Sequence, residues 1–259
     1  MIENEENKEN IVLLCSNGDS TRAVYQALKE RFDDVTVIME QDVPRSIFLK
    51  RRLKKLGFLS VFGQILFMTV VVPILQSLSQ KRIGELKKEL KVTEIENVIH
   101  INSVNSESGR EELRKANPKI VVVNGTRIIG KETLQCVNAK FINMHAGITP
   151  LYRGVHGGYW ALAENKPNLV GTTVHFVEMG IDTGNIIGQV FFEVAKNDNF
   201  TTYPYLHTST GIPILVKTVE LALTGKLSAS KKEPALPSKL RHHPTIWEYF
   251  YYLIKLGVR

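Results

Sequence analysis

Short apolar runs bounded by turn residues recur along the chain, beginning with Ile-Val-Leu-Leu-Cys at residues 11–15 and continuing at 35–39, 96–101, 120–123 and 141–143. Runs this short without a polar face read as strands buried on both sides, the habit of a parallel sheet. Residues 171–177 and 186–194 read as two further strands. Between the runs the period lengthens. Ala23, Ala27 and Leu28 put the apolar positions of residues 20–32 on one helical stripe, and helices are expected at 108–116, 131–137, 155–164 and 206–223. Ser108 with Glu111 reads as a capping box opening the 108–116 helix.

Alternating strand and helix of this kind predicts an α/β fold, a mostly parallel twisted sheet with helices on both faces. Such sheets bind ligands at the carboxyl ends of their strands, near the switch in strand order. Residues 1–10 are polar and acidic and read as a flexible leader. Residues 11–227 then form the main domain. Residues 228–244, rich in Lys, Pro and Ser, read as a linker within a 228–259 tail. That tail ends in a short helix at 246–256 carrying Trp247, Tyr249, Phe250, Tyr251 and Tyr252, an aromatic cluster better suited to packing than to holding a ligand.

One segment breaks the alternation. Residues 45–91 carry 11 Lys or Arg and 2 Asp or Glu, a net +9 in a chain whose total is +7. The remaining residues therefore sum to −2, so the basic balance belongs to this insertion and does not argue for a nucleic-acid partner. Within it, residues 56–80 run 25 positions without a charge, longer than the ~20 needed to span a bilayer. A span here would put the first two strands and the rest of one sheet on opposite sides of a membrane, and Pro73 and several polar residues weaken it further. Two readings remain. The segment lies in a membrane interface with its Lys and Arg among headgroups, or it is a helical hairpin buried against the core or against a second copy in a homodimer. Either way it is expected as a helical excursion whose removal would leave the catalytic strands assembled.

Two cysteines, Cys15 and Cys136, lie far apart, which fits a reducing compartment and excludes a disulfide scaffold. The acidic first residues do not resemble a signal peptide. The expected location is the cytoplasm, with the inner face of the membrane as a second station if the insertion contacts lipid.

Candidate chemistry sits in three stretches: Val123-Asn124-Gly125-Thr126-Arg127-Ile128-Ile129, then residues 141–154, then residues 171–184. Asn143 and His145 are two apart at a strand end and so point the same way. Asn supplies a neutral donor for a developing oxyanion, and His takes a proton near neutral pH. Asp182, in a glycine-flanked loop, can orient and charge-stabilise the imidazole. Together they make an acyl-transfer set without a side-chain nucleophile. Singly, each residue has a bland explanation in a strand end or a turn.

Their order and spacing change that. Asn-x-His, a following Pro and Tyr-Arg-Gly, and Asp-Thr-Gly placed 37 residues after the His resemble the folate-dependent formyltransferase family. That family includes glycinamide ribonucleotide transformylase, methionyl-tRNA formyltransferase and the sugar N-formyltransferases. The resemblance covers about residues 11–32 and 119–223, and Ala146 stands where many members have Pro. It implies a Rossmann-like formyltransferase fold and Asn143, His145 and Asp182 as the catalytic set. It implies 10-formyltetrahydrofolate as formyl donor and no metal. Arg127, Ile128 and Ile129 with Val177, Glu178, Met179, Gly180 and Ile181 would line the pterin pocket, largely through backbone groups. The acceptor amine would attack the formyl carbon directly, and the proton would leave through His145 or a water held by Asp182. His175, on the strand leading to the Asp182 loop, is expected to support the site residues from behind or to be structural, and His242 and His243 are expected to bind no metal.

The acceptor is expected to be a small-molecule amine, held near Asn17, Gly18, Ser20, Arg153 and Gly154. Few residues follow the 206–223 helix, which disfavours the transfer-RNA enzyme with its C-terminal barrel, and the first strand begins at Ile11, which disfavours the two-domain hydrolase relatives. The loop after the first strand keeps one glycine, Gly18, and adds Asp19 where a phosphate would sit. A nucleotide-linked amino sugar is therefore the first expectation and glycinamide ribonucleotide the second. A catalytically idle relative that docks to a membrane or partner is the rival of a different class.

Overall fold

A computed structural model describes residues 10–229 and 238–259; most of the expected leader and part of the expected linker lie outside them. Five parallel strands open the fold: β1 (Ile11–Cys15), β2 (Val35–Glu40), β3 (Val98–Ile101), β4 (Ile120–Asn124) and β5 (Lys140–His145). After a short strand, β6 (Tyr152–Gly154), come β7 (Gly171–Phe176) and β8 (Ile186–Phe191), which add antiparallel to the edge beyond β5. The order is β3-β2-β1-β4-β5-β7-β8. The chain winds outward from β1 to β3 and returns to β4 on the other side, so the switch in strand order falls between β1 and β4, next to β5.

Side chains in register share a face. Leu13, Val37, Val122, Ile142 and Val174 form one core with Val24 and Leu28 of α1 (Asp19–Lys29). On the opposite face Val12, Leu14, Val121 and Val123 form a second core with Leu113. That residue belongs to α6 (Glu107–Ala116), the sixth helix after α2 to α5 of the insertion described below. Short α7 (Lys131–Leu134) and α8 (Gly157–Ala163) follow, then the long α9 (Tyr203–Leu223) on the first face, and finally α10 (Ile246–Leu256).

The 108–116 helix opens one residue earlier than expected. Its cap is Ser106, whose Oγ accepts the Gly109 N–H at 3.1 Å, while Ser108 sits inside the first turn. The helix expected from 155 begins only at Gly157, because Tyr152–Gly154 is extended and pairs with β9 (Lys239–Arg241), a strand inside the expected linker.

The insertion is helical: α2 (Arg45–Leu56), α3 (Phe58–Leu66), α4 (Val72–Leu78) and α5 (Gln80–Glu89), with a π-helical turn at Phe67–Val71 joining α3 to α4. Pro73 has no N–H to give the carbonyl four residues back, and the wider turn just before it absorbs that loss. Phe58–Leu78 is thus one continuous apolar helix of 21 residues. It does not project from the domain. Phe67, at its middle, is 0% exposed and packs edge-on against Phe200 at 4.8 Å and against Tyr249 at 5.1 Å. Asn199 donates to Ser79 Oγ at 2.6 Å, and Arg82 pairs with the buried Asp198 at 3.1 Å. Removing this helix would therefore uncover a core, contrary to the expectation of a detachable excursion.

Candidate active site

The chemistry is assembled by strand register. In the antiparallel β5–β7 pair Asn143 lies opposite His175, and His145 opposite Thr173. Directly opposed residues share a face. Alternation on β5 places Asn143 and His145 on the side of Phe141, in the core under α6, and points Ile142 and Met144 the other way. Thr173 pins the chain after His145: its hydroxyl donates to the Gly147 carbonyl at 2.8 Å and accepts the Thr149 N–H at 3.1 Å.

His145 is buried, with Nε2 donating to the Tyr152 carbonyl at 2.7 Å. That bond fixes the neutral tautomer and leaves Nδ1 as a lone pair, 3.4 Å from Asp182 Oδ2. Asp182 reaches this place from a left-handed backbone conformation, φ 50°, which Asp tolerates better than most residues. Its Oδ2 also accepts the Gly154 N–H at 2.8 Å. Gly154 has φ 93° and lies so close to the Arg241 carbonyl that a Cβ would collide with it. The β6–β9 pair thus holds the N–H that holds the carboxylate.

His175 completes the group. Its Nδ1 donates to the Phe176 carbonyl at 2.7 Å, so in the neutral ring Nε2 is an acceptor. Nε2 lies 3.2 Å from Asn143 Nδ2 and 3.7 Å from Asp182 Oδ1. One amide hydrogen of Asn143 is thereby engaged and the other remains for a ligand. Asn143, His145 and Asp182 converge as their spacing implies, but Asn143 joins through His175. The expectation that His175 supports the site or is structural becomes specific here: the antiparallel pairing of β7 with β5 sets its ring against Asn143.

Burial is the main influence on His145 and pushes its pKa below the ordinary imidazole value, although Asp182 and the Tyr152 carbonyl pull the other way. For Asp182 burial pushes upward, but His175, His145 and the Gly154 N–H outweigh it and hold the carboxyl below its usual value. At neutral pH the site therefore holds a neutral imidazole and a charged carboxylate. Nδ1 and Oδ2 are two acceptors facing each other with no proton between them, a place that attracts one from an incoming N–H.

The residues expected to line a pterin pocket flank β5. Ile129 and Val177 belong to the core on this face, while Ile128 and Met179 are exposed beside it. Among the described residues the N–H groups of Met179, Gly180 and Ile181 are not given to any backbone carbonyl, and Glu178 is exposed with them. Arg127 is already occupied. Its N–H goes to Glu40 Oε1 at 2.6 Å and its guanidinium lies 2.8 Å from Glu40 Oε2, neutralising a carboxylate that is only 5% exposed.

Residues assigned to the acceptor divide between two places. Arg153 donates to the Ile181 carbonyl at 3.4 Å, and Gly154 serves Asp182. Asn17, Gly18 and Ser20 lie at the start of α1, beside β4, where Ser20 Oγ accepts from Asn124 at 2.8 Å. Asp19 is turned away, to the Tyr205 hydroxyl at 2.6 Å and to Lys87 of the insertion at 2.8 Å. His243 Nδ1 lies 2.8 Å from His156 Nε2. Among the described residues no group of three His, Cys, Asp or Glu side chains is placed to hold a metal.

The family profile described as formyl transferase matches residues 4–218. A methionyl-tRNA formyltransferase of Caldicellulosiruptor saccharolyticus is 34% identical over 111 residues, which cover 42% of this chain and 35% of that protein. Other curated methionyl-tRNA formyltransferases are covered over as much as 47% of their length, so the chain spans a third to a half of the curated relatives it matches. A solved N-formyltransferase from Helicobacter canadensis, in complex with folinic acid and dTDP-3-aminofucose, superposes with a TM-score of 0.54 at 18% identity, covering 88% of this chain and 69% of that one. Glycinamide ribonucleotide transformylase 1 from Symbiobacterium toebii superposes with a TM-score of 0.56 at 18% identity, over 89% and 94% of the two chains. At these identities the likeness is one of fold.

Proposed function

The chain belongs to the formyl transferase family, and on that premise we propose that it is a folate-dependent N-formyltransferase acting on an amine of a small molecule. The observation that carries this reading is the facing pair of acceptors, His145 Nδ1 and Asp182 Oδ2, 3.4 Å apart beside the amide of Asn143. An amine that attacks a formyl carbon must lose a proton, and this pair is built to receive it. The imidazolium so formed lies against the Asp182 carboxylate. The second Asn143 amide hydrogen donates to the negative charge that develops on the formyl oxygen.

10-Formyltetrahydrofolate supplies the transferable formyl group. The residues fit such a group: apolar Ile128 and Met179 flank β5, and the backbone N–H groups of Met179, Gly180 and Ile181 are left for the hydrogen-bonding edge of a pterin. Burial of His145 lowers its pKa, so the ring is neutral and has a lone pair to accept a proton at neutral pH.

The acceptor favoured here is a nucleotide-linked amino sugar. The loop after β1 spends its side chains internally: Ser16 donates to the Gly125 carbonyl, Thr21 to the Ser16 carbonyl, and Ser20 accepts from Asn124. A loop satisfied in this way is a poor cradle for a terminal phosphate. Glycinamide ribonucleotide has one observation in its favour, because Lys87 offsets the charge of Asp19, to which the Tyr205 hydroxyl also donates, and so weakens its repulsion from a phosphate. The test is incubation with 10-formyltetrahydrofolate and a panel of acceptors, comprising nucleotide-linked amino sugars, glycinamide ribonucleotide and methionyl-tRNA, followed by mass spectrometry of the acceptor. The expected result is a formylated amino sugar. Formylation of the ribonucleotide or the transfer RNA alone would overturn the acceptor assignment, and formylation of nothing, with folate binding intact, would favour the idle docking protein.

A further inference from the structure

The helix Phe58–Leu78 buries one narrow stripe, Val61, Gln64, Phe67, Val71 and Leu75, against the domain. The rest of its circumference faces outward and is mostly apolar, with Thr69, Gln76 and Ser77 the exposed polar positions. Phe58 and Leu59 are 70% and 72% exposed, and Phe62, Ile65 and Ile74 continue the surface. A second exposed stripe runs beside it. On α10, Trp247, Phe250, Tyr251 and Ile254 fall at i, i+3, i+4 and i+7, one helical face, with Ile254 84% exposed. The two are joined by Trp247, whose ring lies against Gly63 of the long helix. Among the described residues nothing covers either stripe.

We propose that this two-helix face docks the protein on the surface of an anionic lipid bilayer, with the long helix lying in the interface. Three observations choose lipid as the occupant. First, one side of the helix is occupied by protein: Val61, Gln64, Phe67, Val71 and Leu75 are buried, and Phe67 at its middle packs on Phe200 and Tyr249, so only the opposite side is open to lipid. β2 and β3, which lie before and after it in sequence, pair in one sheet.

Second, the uncharged helix is bracketed by cations. Lys50, Arg51, Lys54 and Lys55 are exposed on α2 at one end and Lys81 and Lys88 on α5 at the other. Apolar side chains sunk among acyl chains, with Lys and Arg at headgroup level, are the arrangement by which in-plane helices bind anionic leaflets. Third, Trp247 and Tyr251 stand in the second stripe, and these amphipathic rings favour the headgroup boundary; Lys255 donates to the Tyr251 hydroxyl at 2.9 Å and adds a cation there. The same charges oppose a second copy as occupant, because a self-complementary contact would bring the exposed Lys50, Arg51, Lys54, Lys55, Lys81 and Lys88 of two copies together.

The test uses the full chain with vesicles of phosphatidylcholine, or of phosphatidylcholine with phosphatidylglycerol, followed by sedimentation. Binding to the anionic vesicles is expected, weakening as salt rises. Replacing Lys50, Lys54 and Lys55 by Gln should lower partitioning by about 100-fold. The double variant Leu59→Ser with Ile254→Ser, both at exposed positions and so neutral to folding, should lower it by about tenfold or more. Neither variant touches the candidate active site, and circular dichroism checks that both fold. A wild-type chain that stays in the supernatant with anionic vesicles would overturn the proposal. So would binding indifferent to all five substitutions, or a solution dimer that the double Ser variant converts to monomer, which would make the face an interface between copies. These readouts do not depend on the chemistry proposed for the site.

Discussion

At the scale of single residues, the proposed chemistry rests on His145 and Asp182. Replacing His145 with Asn should reduce turnover by a factor of ~10² to 10⁴, the range for a lost general base. Folate affinity, read by fluorescence titration, should change far less if, as proposed, the Met179–Ile181 loop and not the imidazole holds the pterin. The pH–rate profile carries a sign. Burial lowers the His145 pKa below 6.5, and only the neutral ring accepts a proton, so activity should rise with pH through a value below 6.5 and be level at neutrality. Asp182 is held below 3.8 and stays charged across that range. An acid limb centred above neutral pH would mean that a different group is the base. His175, expected as a supporting or structural residue, has a definite partner: its ring lies 3.2 Å from the Asn143 amide and fixes it.

Two elements outside the parallel sheet hold the site in shape. The β6–β9 pair fixes Gly154 at φ 93° against the Arg241 carbonyl. In Gly154→Ala the new Cβ must push the two strands apart, and the N–H that binds Asp182 moves with them. A loss of turnover is expected, with a stability cost of about 1–3 kcal/mol for the strained backbone; parallel activity and urea-denaturation measurements separate the two. The long insertion helix is fixed by Phe67. Truncation in Phe67→Ala leaves a cavity between Phe200 and Tyr249 and should cost about 3–5 kcal/mol, read as a lowered denaturation midpoint. A variant of unchanged stability would show that the helix is not part of the core. Arg127, tied to buried Glu40 by backbone and guanidinium alike, positions the loop after β4 and is not spare to bind a ligand through its charge.

At the scale of the whole molecule, burial holds further histidines neutral besides His145: His207 in the core, and His156 and His243 partly buried. Burial lowers the His207 pKa to about 3 and that of His243 to about 4. It takes His156, which faces His243, well below 6.5. Each folded-state value lies below the unfolded one, so unfolding takes up protons in acid. Their contribution to stability is complete above about pH 6.5 and is lost progressively as pH falls toward 4. Urea midpoints measured from pH 7.5 down to 4.5 should fall, and His243→Gln should flatten the slope. A midpoint independent of pH would show that these rings are hydrated. The His156–His243 contact also ties the C-terminal segment to the start of α8, two residues beyond Gly154. Gln64 donates to the His243 carbonyl at 2.8 Å, so the insertion, the tail and the carboxylate-holding strand are one connected body.

The order of elements was written in the sequence because each depends on local pattern. Ile11–Cys15 and Ile246–Leu256 occur with the limits expected of them, since an unbroken apolar run and a stripe of aromatics state their own boundaries. Asn143, His145 and Asp182 were legible through a spacing that is one-dimensional by nature. What tertiary structure alone decided is everything that turns on partners distant in sequence. Ser108 looked like a cap, yet Ser106 is the residue whose turn back to Ser103 places its hydroxyl over the helix end. Residues 239–241 look like linker, because three residues with no alternation carry no strand signal until Tyr152–Gly154 lies beside them. That His175 supports Asn143 was decided only by the antiparallel run of β7 against β5. Hydropathy gave the 45–91 insertion its helices, but it could not say which stripe of Phe58–Leu78 is buried. A helix apolar all round has no face of its own, and the stripe it hides is chosen by the Phe200 and Tyr249 rings it meets.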